Sequence, residues 1–163
     1  MIENFGGILN FIVFLALTAG WTMYGYQMSF GIKTFYDKFN ISHTGVIIGG
    51  FVSSFAIAAV VLHILILFRG AEGAWYLFAY FVVQAVIAAL LSYRTIQAKV
   101  AVDEGVKYTS EPVIAPIVFG LAYAFLLYNM RDILYVWLVK RLGLDYNSTI
   151  WVFDRKVIAL QLH

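Results

Sequence analysis

The chain of 163 residues contains no cysteine. That excludes disulfides, thiolate nucleophiles, thioether-linked haem and cysteine-ligated clusters. It also leaves the compartment unreadable from redox chemistry. Charge is scarce: Asp, Glu, Lys and Arg make up 12% of the residues, against about 25% in ordinary soluble domains. A formal net charge of +2 is too small to point to a nucleic-acid partner. Gly-rich phosphate loops are missing too, because Gly49-Gly50 falls inside an apolar run instead of following a strand.

What the chain has in quantity is apolar surface. The AVILMFWYC residues reach 63%, and a small soluble domain has too little interior to hide that share. A membrane-crossing helix needs about 20 mainly apolar residues. Residues 4–32, 44–68, 73–93 and 112–130 are free of Asp, Glu, Lys and Arg. The sequence therefore predicts an all-α polytopic membrane protein, a four-helix antiparallel transmembrane bundle. Residues 1–144 form the membrane domain, with helices about 8–30, 45–68, 74–94 and 112–139. Residues 145–163 form a short extramembrane tail. The first run is longer than a signal core and is preceded by Glu3 and no basic residue, so it reads as a retained helix.

The loops follow from the same reading. Residues 31–44 hold Lys33, Asp37, Lys38 and His43 and are expected to be a loop. The turn Arg69-Gly-Ala-Glu-Gly73 is tight, which makes the second and third spans antiparallel neighbours. Four spans put both termini on one side. That side collects six basic residues against five, which leans the termini towards the cytoplasm. In the tail, Thr149–Phe153 and Val157–Leu160 flank a polar turn and read as a possible β-hairpin, with a frayed tail or an interfacial helix as the other options. Asn40-Ile-Ser42 and Asn147-Ser-Thr149 match the glycosylation sequon, a short pattern that occurs often by chance.

Several groups of residues are candidates for function or packing. Gly45, Gly49 and Ser53 recur every four residues, and so do Gly50, Ser54 and Ala58. Such spacing lets helix backbones approach closely, inside one chain or between subunits. Thr18, Thr22, Ser53, Ser54, Tyr80, Gln84 and Tyr123 are polar residues inside apolar runs. They serve as interhelical hydrogen-bonding groups or as the lining of a polar pathway. Arg131 and Asp132 lie inside the membrane if the fourth helix runs on to Val139, and at its edge if that helix ends near Met130. Adjacent helical residues point about 100° apart, so these two are not expected to neutralise each other. Tyr128 is one turn away from both.

Histidine is sparse. His43 and His63 stand at opposite ends of one predicted span, so the chain alone does not supply a bis-histidine haem site. Haem held by His63 and a partner's imidazole is the arrangement left open. Asp103, Glu104 and Glu111 share a loop without histidine and read as solvated, so no metal is expected. No nucleophile, base and orienting group stand in a recognisable pattern, so no catalytic residue is assigned. Trp21, Trp75 and Trp137, with Tyr24, Tyr26, Tyr76, Tyr93 and Tyr135, fall towards span ends and fit interfacial belts.

The function expected from these features is a non-catalytic integral membrane subunit, structural or accessory. Its partners are the lipid bilayer and other membrane subunits or copies of itself. The first alternative is a small oligomeric transporter or channel. Its pathway would use the polar residues above, with Arg131 or Asp132 as the charged group. The second is a membrane enzyme acting on a lipid or a quinone.

Overall fold

The computed structural model describes residues 2–99 and 105–135. These residues are helical with short turns, and no strand occurs among them. Four helices are long and apolar enough to cross a membrane: Ile8–Ser29, His43–Arg69, Trp75–Ala98 and Glu111–Asn129. The α-helices are α1 (Ile8–Ser29), α2 (Ile32–Phe39), α3 (Val46–Arg69), α4 (Trp75–Ala98), α5 (Glu111–Asn129) and α6 (Arg131–Leu134). The proposed tail, the sequon at Asn147, Trp137, Asp103, Glu104 and the fourth helix beyond residue 135 lie outside the described residues.

Each long helix buries one stripe. On α1 it is Asn10, Phe14, Leu17, Gly25 and Met28, and on α3 it is Gly49, Ser53, Ala56, Ala59, His63 and Ile66. Steps of three and four residues keep such side chains on one face. The rest of each helix surface is apolar but uncovered. Only 17–28% of each candidate span's apolar window is buried. Phe51, Phe55, Leu90 and Leu121 are among the large side chains left exposed.

The most extensive helix packing joins α4 to α5 and α1 to α3. Small residues allow both. A Cβ on Gly120 of α5 would stand 2.9 Å from the Cβ of Ala85 on α4. Gly25 of α1 faces Ala56 and Ile57 of α3 at ordinary contact distance. The expected neighbours α3 and α4 are joined by the short turn after Arg69, where Gly70 takes φ +89° and its N–H bonds to Ile66 O at 2.8 Å. These two helices meet through large side chains, as in the 5.6 Å ring contact of His63 with Phe81.

Residues 32–39 correct the loop expected there. They form α2, because Ile32, Tyr36 and Phe39 share one face and bury it. Eight residues are too few to register as a span. Ile32 and Tyr36 lie over Gly49, and Tyr36 donates its hydroxyl hydrogen to Gly45 O at 2.8 Å. The outer end of α2 is tied to the start of α5. Lys38 Nζ pairs with Glu111 at 2.6 Å, Asn40 Nδ2 donates to Gly105 O at 2.9 Å, and Lys107 N donates to Phe39 O at 2.9 Å. The ion pair is more than half exposed, so it adds little stability.

The two small-residue lines of α3 now separate. Gly45, Gly49 and Ser53 face α1 and α2, whereas Gly50, Ser54 and Ala58 are exposed. A Cβ on Gly49 would collide with Ile32 and the Tyr36 hydroxyl, while one on Gly50 would meet nothing within 4 Å. Gly49→Leu is expected to destabilise the fold by about 1–3 kcal/mol through overpacking. Gly50→Ala should be neutral or stabilise by up to about 1 kcal/mol, since alanine suits a helix better. Thermal unfolding of the two variants in detergent checks the opposite signs.

Candidate functional site

The polar centre of the molecule is built from α1, α3 and α5, with α4 closing it. Trp21 of α1 donates its Nε1–H to the Tyr123 hydroxyl of α5 at 2.6 Å. That hydroxyl lies 2.9 Å from His63 Nε2 of α3. Tryptophan is only a donor, so the hydroxyl oxygen accepts from Trp21. The hydroxyl then either donates its hydrogen to His63 Nε2 or accepts a second hydrogen from it, according to the imidazole tautomer. Nδ1 is buried and has no hydrogen-bond partner among the described residues. His63 and Tyr123 are each 1% exposed.

Aromatic rings enclose this chain. The Tyr123 ring stacks on Phe81 of α4 at 4.7 Å and 18°. Phe14 of α1 meets the edge of His63 at 4.9 Å and 77°. Phe78 packs edge-on to Tyr123 at 6.0 Å, and Trp21 packs against Phe119 at 5.7 Å. Excluding water strengthens each hydrogen bond inside, and it raises the cost of any polar group left unmatched.

A second polar contact joins α1 to α3 nearer the α2 end. The hydroxyls of Ser29 and Ser53 are hydrogen-bonded, and Ser29 Oγ donates to Gly25 O at 2.6 Å. Ser53 was expected among the polar residues within the runs, and it is buried against α1. The other expected residues do not join it. Thr18 Oγ1 donates to Phe14 O and Thr22 Oγ1 to Thr18 O, both at 2.8 Å along their own helix. Ser54 donates to Phe51 O at 2.7 Å and is exposed. Tyr80 is exposed, and Gln84 is half-buried with no side-chain hydrogen bond among the described residues.

Arg131 and Asp132 follow the end of the last long helix. Met130, with φ −98° and ψ 13°, separates α5 from α6, so the helix does not run unbroken to residue 139. Arg131 Nε lies 3.9 Å from Asp132 Oδ1, and both side chains are more than half exposed. The Arg131 guanidinium also covers the Tyr128 ring at 5.4 Å.

Sequence reasoning missed two members of the centre. Trp21 was read as an interfacial aromatic, but it donates a hydrogen bond inside the molecule. His63 was weighed only as a haem ligand shared with a partner. Its ring faces Phe14, Phe81 and Tyr123 within this chain, and its Nε2 is engaged by Tyr123. A histidine and a tyrosine inside apolar runs was the available signal, since each must find a hydrogen-bonding partner. No family model matches the chain, and neither a curated protein nor a solved structure matches it.

Proposed function

We propose that this chain is a non-catalytic, structural or accessory subunit of a membrane assembly, with its four long helices packed as an antiparallel transmembrane bundle. One observation carries the reading: the polar side chains of the helices, Gln84 and Tyr80 apart, spend their hydrogen bonds on holding the helices together or on their own backbones. Tyr123 engages Trp21 and His63, Ser53 engages Ser29, and Thr18 and Thr22 return to α1. A transport pathway needs such groups to face a common wet space. Here they are dispersed between the interior and the outer surface. The uncovered apolar faces of all four helices supply area for lipid and for neighbouring subunits.

Gentle detergent extraction followed by native mass measurement tests this reading. Unlike subunits leaving the membrane with the chain are the expected result. A particle containing only copies of this chain would overturn the accessory role and favour the oligomeric transporter, which ion or solute flux in liposomes would then examine.

A further inference from the structure

We propose that the segment Ile2–Phe5 is a plug that opens and closes water access to His63. Phe5 is fully buried, and its ring lies 4.9 Å from Phe14, the residue whose ring meets His63. The rest of the segment, Ile2, Glu3 and Asn4, is exposed. Phe5 is thus one side chain inserted from a short outer turn. It belongs to the same buried apolar cluster as Ala71, Met130, Leu134 and Tyr123, each no more than 1% exposed.

The attachment of the plug is slender and hinged. Asn10 Nδ2 donates to Phe5 O at 2.9 Å and holds the segment to α1. Gly6 and Gly7 connect them at φ +66° and φ +137°. The second value lies in a region that essentially only glycine occupies. Beside the segment is an open hollow lined by Glu3, Asn4, Arg69 and Ile133 among others, so its outer side is not packed against other elements.

Two opposing effects poise the device. Burial of the Phe5 ring favours the closed arrangement. His63 Nδ1 favours the open one, because a buried polar atom with no partner among the described residues gains a hydrogen bond when water reaches it. The inference concerns access alone, so it stands or falls separately from the accessory-subunit reading.

Diethyl pyrocarbonate, a small reagent that acylates imidazole, tests it on the full chain in detergent, with labelling read by peptide mass. His43, whose side chain is 47% exposed, is the internal standard. In the parent chain His63 should label far more slowly than His43. Gly7→Ala places a Cβ where nothing lies within 4 Å, so it strains only the hinge. It should raise the His63 rate roughly 10-fold, with His43 unchanged. Phe5→Ala should raise it as well. Gly49→Leu, which loosens the α2 end, should leave His63 slow. Parent His63 labelling as fast as His43 would overturn the plug, as would no acceleration in Gly7→Ala and Phe5→Ala. Equal acceleration by Gly49→Leu would also overturn it, because the opening would then be global.

Discussion

Tyr123→Phe should lower stability by about 2–4 kcal/mol, the largest loss expected from removing a single atom. The hydroxyl accepts from Trp21 and engages His63, so its removal leaves the half-buried Trp21 indole N–H and the fully buried His63 Nε2 without this partner. Hydrogen bonds between membrane helices average only about 0.6 kcal/mol by double-mutant analysis. An unmatched buried donor or acceptor costs more, about 1–3 kcal/mol, and this variant creates two. The ring itself still stacks on Phe81 and the interior keeps its volume. Adding His63→Leu should return part of the loss, because it removes one of the stranded groups together with Nδ1, which has no partner among the described residues. The midpoint of detergent-induced unfolding, followed by tryptophan emission, measures the cycle. If the double variant lost the full sum of the two single losses, the groups would not be coupled.

The second large effect is expected where α4 and α5 cross. Gly120→Ala would bring two methyl carbons to 2.9 Å, whereas carbon atoms rest at about 3.5–4.0 Å. Ala85 has no rotamer to escape into, so the helices must part. Gly120→Leu should cost about 3 kcal/mol or more by forcing a wider gap. Gly120→Ala should cost about 1–2 kcal/mol after the better helix propensity of alanine is counted. Moving the methyl group across the contact, with Ala85→Gly and Gly120→Ala together, should recover most of that loss. Thermal unfolding of the three variants decides it. An undiminished loss in the exchange variant would show that the crossing does not depend on this spacing.

The long helices were legible because an apolar run and its charged ends are local properties. Arg69 closes α3 in both readings, and Glu111 with Pro112 opens α5. Helix α2 was not legible, since its three buried residues fill barely two turns and sit among charges. Facing was only half legible. Spacing marks Gly45, Gly49 and Ser53 as a line and Gly50, Ser54 and Ala58 as another, but it does not say which one meets α1. The polar centre was the hardest part. Tyr123 stood out, yet its partners are 60 and 102 residues away in sequence. Periodicity within one helix carries no information about which residue waits on another.

That separation also orders events while the chain is being made. Helices α1 to α3 and their mutual contacts are complete by Arg69, and α4 and α5 come afterwards. Trp21 and His63 then exist without the group that joins them until Tyr123 has been added. The 60 residues from His63 to Tyr123 take about 3–12 seconds at a synthesis rate of about 5–20 residues per second. Through that interval the unfinished first half carries an indole N–H and an imidazole on its inner face. The half-made protein thus presents two polar groups still to be matched, and arrival of the fifth helix supplies the hydroxyl that matches them.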